Sequence, residues 1–350
     1  MNRCDICGTE FKTAQGLAGH KRFRHGPAGL ASELETTIVS RQLHRKVLSR
    51  LSDRLADKLA DVILESHGEE MLEVYLLELS RQGVDLSFLG RRRNIRAIIV
   101  AAGQNDRLLS LIPDKPAGLL EIGHKTLIGR GLETLRECGI HDIAVVRGYQ
   151  GNKIDYPEIR YYDNRDFRNT GILRSLFSAK NEMDDEFIFC YSDIIYDKDV
   201  LEQLLQDRSD VSLVVDTDWE SHYRHRHQHP ISEAELVMAE GDLITQIGRN
   251  ITDLQDVHGE FIGLAKFSKR GSETLKAGYD RATVRYRTGA FHKAPSLEKA
   301  YFSDMVQEII DQGYPVHHVD IQGGWAEIDT LEDFNRVNRE LESVLKTRTE

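Results

Sequence analysis

Cysteine is scarce in this chain, with four in 350 residues, too few for a disulfide-stapled scaffold. Cys138 and Cys190 sit in apolar settings and read as buried thiols, so nothing asks for a disulfide and the expected location is the cytoplasm. Positive charge is in deficit. Lys and Arg number 46 against 57 Asp and Glu, a net charge of −11, which excludes a nucleic-acid binder working through bulk charge. No apolar run approaches the ~20 residues that span a bilayer, and the first residues lack the pattern of a signal peptide. Glycine and proline are absent from residues 31–66. What is present is ordinary for a globular protein, with 40% hydrophobic and 29% charged residues and enough length for two domains.

The organising stretch is residues 95–125. Residues 95–100, rich in Ile and Val, read as a buried strand, and Ala101, Ala102 and Gly103 follow it. Such small residues let a flat base or a phosphate lie on the backbone. Arg107 comes four residues later and Lys115 twelve later, two cations suited to the charge of a nucleoside triphosphate. The spacing is neither the P-loop nor the dinucleotide fingerprint. Downstream, residues 128–138 read as a helix closed by Gly139, residues 143–146 as a strand ending at Gly148 and Tyr149, and residues 159–162 as another. Residues 170–180 read as a helix and 186–191 as an apolar strand. Alternation of this kind predicts an α/β, Rossmann-like domain with a mainly parallel sheet, ligands binding at the carboxyl ends of its strands. Residues 234–238 and 243–247 predict a β-hairpin turning at Gly241 and Asp242.

Two carboxylates stand out. Asp193 follows the strand 186–191, and Asp329 ends a short strand-like piece with Thr330 placed to cap the next helix. A hard Mg²⁺ ion takes one or two carboxylates together with phosphate oxygens, so the pair is the predicted magnesium site. The alternative for each is a helix cap. Glu332 and Asp333 suit the positive N-terminus of that last helix.

The first thirty residues carry another metal pattern. Cys4, Cys7, His20 and His25 have tetrahedral zinc spacing, and Phe11 and Leu17 fit a small ββα core. This segment resembles a C2H2 zinc finger, its residues 15–20 similar to the helix of plant-type fingers. A single finger covers about three base pairs, so a structural or docking role is expected rather than nucleic-acid binding. Residues 31–92 read as a helical connector, with Ile38, Leu43, Val47, Leu48, Leu51, Leu55, Leu59 and Val62 at helical steps. This stripe is a candidate face for homo-oligomer contact. The expected domains are therefore 1–30, 31–92 and 93–350.

The order Ala-Ala-Gly, Arg107-Leu108, Lys115-Pro116 resembles the nucleotidyltransferase signature. The run Trp325-Ala326-Glu327-Ile328-Asp329-Thr330-Leu331-Glu332-Asp333-Phe334 is similar to that of cytidylyltransferases acting on choline phosphate and on phosphonates. Residues 215–219 with Tyr223 and Arg226, residues 259–265, 301–305 and 313–316 resemble the phosphonate branch. The resemblance spans about 95–340 and implies a Mg²⁺-dependent, MobA-like or sugar-nucleotidyltransferase-type cytidylyltransferase. On it CTP and a small phosphonate (2-hydroxyethyl- or 2-aminoethylphosphonate) or a phosphate such as phosphocholine are the substrates. Arg107, Lys115, Asp193 and Asp329 are then catalytic. Ala101, Ala102, Gly103, Thr170 and Ser175 receive the nucleotide, and Tyr223 and Arg226 meet the acceptor. The alternatives are a sugar-1-phosphate nucleotidyltransferase and a zinc-finger regulator with an inactive transferase domain. One departure is Gly171, where many relatives carry Asn; Thr170, Arg174 and Ser175 remain available there. The histidines 222, 225, 227 and 229 are read as a cationic flap over an anionic acceptor rather than as metal ligands.

Overall fold

A computed structural model of the chain describes residues 2–3, 10–11, 95–224 and 226–347, the side chains beyond 341 excepted. The chain divides into two compact units, Met1–Arg92 and Arg93–Glu350. In the first, the two-residue strands β1 (Asn2–Arg3) and β2 (Glu10–Phe11) pair antiparallel. The four expected zinc ligands and the helical stripe of 31–92 lie outside the described residues. No described helix is long and apolar enough to cross a membrane.

The second unit is built on β3 (Arg96–Ala101), which is buried along almost its whole length. Its alternate side chains enter two different cores. Ile98 and Val100 join one and Ala97, Ile99 and Ala101 the other, as a period of two requires of a strand covered on both faces. Helices α1 (Leu127–Glu137) and α3 (Lys198–Gln206) cover one face. Helices α2 (Ile172–Phe177), α5 (Lys269–Arg285) and α6 (Phe302–Asp311) cover the other. Between them in the chain lies the single-turn helix α4 (Trp219–Tyr223). The start of α1 is capped by the Thr126 hydroxyl, which accepts from the Gly129 amide, and Gly139 beyond its end takes φ of 80°, the left-handed turn that glycine permits.

The sheet is mixed rather than mainly parallel. β6 (Asp142–Arg147) and β8 (Phe187–Tyr191) flank β3 in parallel, and β7 (Ile159–Asp163) extends that half beyond β6. β13 (Gly259–Phe267) then enters antiparallel beside β8 and pairs antiparallel with β10 (Val211–Asp216), which in turn runs parallel to β14 (His317–Ile321). The predicted hairpin forms as β11 (Leu236–Glu240) and β12 (Leu243–Gly248), antiparallel to each other. It closes a ring of strands by pairing β11 with β13 and β12 with β14. The pattern of apolar runs does not distinguish a parallel neighbour from an antiparallel one when both faces are covered.

Two short ladders and the last helix position the site. The short ladder of β4 (Glu121–Ile122) and β5 (Lys125–Thr126) closes the segment after the loop 102–120. β9 (Ile194–Tyr196) pairs antiparallel with β15 (Trp325–Glu327), outside the main sheet. Helix α7 (Leu331–Thr347) follows, and its Val337 packs with Ile328, Leu108, Leu120 and Ile122 in a third apolar cluster. That cluster fastens the C-terminal segment beneath the loop after β3.

Gly171 has a steric explanation. A Cβ there would lie 2.4 Å from the Ala300 carbonyl oxygen and 2.7 Å from the Lys299 carbonyl carbon. The Gly171 amide donates to Glu298 O at 2.6 Å, and Leu173 N donates to Ala300 O at 3.2 Å. The start of α2 is thus pressed onto the backbone of 298–300, and an Asn side chain has no room. Gly171→Ala should lower the unfolding free energy by about 1–3 kcal/mol, the usual cost of overpacking. Urea denaturation of the variant beside the parent measures it, and an unchanged midpoint would contradict the close approach.

Candidate active site

One cavity of about 440 Å³ opens at the carboxyl end of β3. Its wall contains Ala101, Ala102, Gly103, Arg107, Thr170, Ser175, Asp193 and Asp329. Four separate chain segments therefore bring eight of the predicted site residues to one place. The backbone there is held by close contacts. Tyr149 N donates to Ala102 O at 2.9 Å, and a Cβ on Gly148 would sit 2.4 Å from that same oxygen. Gly103 has open space around it, so ligand atoms can approach its backbone.

Asp193 leaves β8 on the turn into β9, and Asp329 follows β15. Ile328 N donates to Asp193 O at 2.9 Å, so the ladder sets the two carboxylates side by side. Neither caps a helix. Helix α3 begins after Asp197, and Asp333 with Thr330 closes the start of α7. Asp333 N donates to Thr330 Oγ1 at 3.2 Å, while Thr330 N donates to Asp333 Oδ2 at 3.0 Å. The expectation that Asp333 is structural agrees with this pairing.

The electrostatics of the carboxylate pair are unusual. Oδ1 of Asp193 is buried and has no hydrogen-bond partner among the described residues. Burial, reinforced by the nearby Glu327 charge, pushes the Asp193 carboxyl up to about 7. Burial, Glu327 and Asp193 together hold Asp329 well above the usual carboxylate range. Clustered carboxylates with an orphaned oxygen fit a hard divalent cation, which prefers oxygen donors.

Several residues that the sequence reading did not single out hold this geometry. Asn105 Nδ2 donates to the Asp329 carboxylate at 3.0 Å and to its carbonyl at 3.1 Å, while Asn105 Oδ1 accepts from Arg107 N at 3.0 Å. Asn164 is buried and donates to the Thr170 and Ser175 hydroxyls, each at 2.9 Å. An Asn inside a loop motif is a usable signal. Asn164, distant in sequence from any motif, offers none. Arg249 lies over the Tyr301 ring, 4.2 Å from its centroid, and its charge opposes the upward shift of both Asp193 and Asp329.

Other predicted residues are placed differently. Arg107 lines the cavity, yet its guanidinium is held by Glu233 at 2.5 Å and by Gln228 O at 3.4 Å. Lys115 is exposed on the loop before Pro116 and is not part of the cavity wall. Tyr223 and Arg226 are not in that wall either. The Tyr223 hydroxyl donates to Glu260 at 2.6 Å. The Arg226 guanidinium, 4% exposed, binds Asp333 at 2.7 Å and Glu327 at 3.0 Å. Both are supports behind the wall. The expected histidine flap is corrected. His229 is buried, with Nδ1 2.9 Å from Arg226 Nη2, and His222 stacks on Trp325 at 5.4 Å. Burial holds both imidazoles below their ordinary range, and both rings are packed against protein groups rather than presented as a cover. His225 lies outside the described residues. Asp216, of the segment 215–219, is a clasp that accepts from the Trp325 indole at 2.6 Å and from Gly323 N at 3.2 Å.

Residues 97–256 match the MobA-like NTP transferase domain. The chain is similar to the CTP:phosphoglutamine cytidylyltransferase of Campylobacter jejuni, 27% identical over 250 residues, 68% of this chain and 97% of that protein. It is 31% identical over 98 residues to the choline-phosphate cytidylyltransferase of Streptococcus pneumoniae, 27% of this chain and 43% of that one. Among solved structures, the CTP:phosphocholine cytidylyltransferase from Streptococcus pneumoniae superposes with a TM-score of 0.55 at 21% identity, covering 71% of this chain and 99% of that one. The inositol-1-phosphate CTP transferase from T. maritima gives 0.54 at 19%, covering 70% and 93%. The fold is that of the nucleotidyltransferases.

The buried Glu260 yields a pH prediction. Burial, with Glu327 next, pushes its carboxyl up to about 8, and its Oε2 has no partner among the described residues. The folded protein therefore holds a proton that an unfolded Glu, at about 4.3, has released. This contribution is complete below about pH 4.3 and is lost as pH rises toward about 8. Glu260→Gln removes the titration. The stability of the parent relative to Glu260→Gln should fall between pH 5 and pH 8, read from denaturant unfolding at each pH. A difference independent of pH would show that Glu260 titrates normally.

Proposed function

We propose that this chain is a Mg²⁺-dependent cytidylyltransferase, joining CMP from CTP to a small phosphonate or phosphate acceptor and releasing pyrophosphate. The observation that carries the reading is the single cavity holding the small-residue loop, Arg107, two hydroxyls and the Asp193–Asp329 pair. The choice of CTP is supported by the cytidylyltransferases to which the chain is similar. For the acceptor, 2-aminoethylphosphonate, 2-hydroxyethylphosphonate and phosphocholine share an anionic oxygen on phosphorus and a short polar arm.

That oxygen is already a nucleophile and needs no general base. It forms a bond to the α-phosphorus of CTP as the bond to the bridging oxygen of pyrophosphate breaks, and the electron pair leaves with pyrophosphate. The protein contributes position and charge. Backbone at Ala101, Ala102 and Gly103 receives the nucleotide, and Thr170 and Ser175 present hydroxyls whose direction Asn164 sets. Arg107 exchanges Glu233 for a phosphate oxygen. Lys115 joins it by inward movement of its exposed loop. Asp193 and Asp329 would hold Mg²⁺, which when bound neutralises charge on the triphosphate. At the N-terminus, Cys4, Cys7, His20 and His25 would hold a structural Zn²⁺, apart from this chemistry.

Initial rates of pyrophosphate release test the reading, with CTP, UTP, ATP and GTP each paired with the three acceptors and with hexose 1-phosphates. CTP with a phosphonate or phosphocholine should lead. Equal rates with UTP or ATP would remove the cytidylyl assignment, and a hexose phosphate preference would favour a sugar-1-phosphate enzyme. No release with any pair would favour a regulatory protein.

A second measurement addresses the metal pair. Asp329→Asn should cut turnover about 10²- to 10³-fold, the scale of losing one charge-stabilising group, with an unchanged circular dichroism spectrum. Parent-like turnover at limiting Mg²⁺ would argue against Asp329 as a ligand.

A further inference from the structure

A second group of metal-ligating side chains lies away from the cavity. His318 and Asp320 are two residues apart on β14, so they project from one face of the strand. His258 immediately precedes β13 and reaches the same place from elsewhere in the sheet. β13 and β14 are separated there by β10 on one side and by the β11–β12 hairpin on the other. His258 Nε2 lies 2.9 Å and His318 Nδ1 2.7 Å from the same oxygen, Asp320 Oδ1. The two rings have centroids 4.3 Å apart, and the three ligand atoms all fall within 4.8 Å of one another. None of the three residues belongs to the cavity wall.

The hydrogen bonding defines what these nitrogens need. His318 Nε2 is 3.1 Å from Gly241 O, and only an N–H can satisfy a carbonyl. In a neutral ring, Nδ1 then presents a lone pair toward the Asp320 oxygen, which is repulsive unless a cation lies between them. His258 Nε2 meets that same oxygen. Protons alone would require a charged His318 donating through both nitrogens, with a neutral His258 donating to the same oxygen through Nε2–H. One metal ion satisfies all three atoms together. The Nε2–H to backbone carbonyl contact is the arrangement by which a ligating histidine is oriented.

We propose that His258, His318 and Asp320 bind a Zn²⁺-class transition metal, which clamps the start of β13 to β14. Two imidazoles and one carboxylate suit Zn²⁺ better than Mg²⁺. Tetrahedral ligands at about 2.0–2.1 Å from zinc stand roughly 3.4 Å apart, so binding needs only a small opening. The Asp320 side chain is 42% exposed and His258 30%, which leaves both free to adjust and leaves a fourth position for water.

The test uses the full chain, stripped by a chelator and titrated with Zn²⁺ and with Co²⁺. The parent should take up one equivalent more than His258→Gln/His318→Gln, whatever residues 1–30 bind. The extra Co²⁺ should show ligand-field absorption without thiolate charge transfer, which separates it from any ion on Cys4 and Cys7. Asp320→Asn, at an exposed side chain, should weaken the extra site at least tenfold and decides the matter if the double variant fails to fold. Equal uptake by parent and folded double variant, parent-like affinity in Asp320→Asn, or thiolate absorption from the extra ion would overturn the proposal.

Discussion

The candidate site depends on one short ladder. β9 and β15 are each three residues long and pair outside the main sheet, with Glu327 opposite Ile194. The Ile328 amide continues the pairing to the Asp193 carbonyl. Without it, the carboxylates of residues 193 and 329 would belong to unrelated parts of the chain. A ladder this short is weak alone. It is held by the apolar cluster that packs Ala326, Ile328 and Val337 against Leu108, Leu120 and Ile122. Hydrophobic burial thus brings the loop after β3 and the C-terminal segment together, and the ladder sets their register.

That register has an electrostatic consequence. Asp193, Asp329, Glu327 and Glu260 are drawn into one region, and burial raises the first, second and fourth of them. Arg226, paired with Glu327 and Asp333, offsets part of the charge, and Arg249 also opposes the shift of Asp193 and Asp329. Buried ions are tolerated only with such partners. The remainder, centred on the unpartnered Asp193 oxygen, is the part of the arrangement that a bound cation would complete. The same logic explains why Tyr223 and Arg226 serve behind the wall. A buried guanidinium already holding two carboxylates has little left for a ligand.

Close backbone approach does comparable work on the uncharged side of the cavity. Gly148 admits the Ala102 carbonyl and Gly171 admits the 299–300 backbone, so the loop after β3 and the start of α2 stand where side chains of any size would hold them apart. Thr170 and Ser175 then face the cavity with Asn164 behind both. The missing Asn at position 171 is therefore a packing requirement of this chain, and a neighbouring amide supplies hydrogen bonding to the same hydroxyls.

Much of this was legible from sequence because it is local. Short continuous apolar runs mark β3, β6 and β8, the Gly-Asp turn marks the β11–β12 hairpin, and Ala-Ala-Gly with Arg107 marks the loop. Asp193 and Asp329 were legible as strand-end carboxylates, since each is placed by the few residues before it. The antiparallel entry of β13 was not, because a strand buried on both faces shows no sign of its direction. Nor were the roles of Tyr223, Arg226, His222 and His229, since whether a polar side chain faces a cavity or a buried carboxylate depends on partners from 37 to more than a hundred residues away. The sequence by itself determined which chemical groups the chain has and the local elements that carry them. Only the tertiary structure decided which groups meet, because burial and charge pairing depend on every segment packed around them.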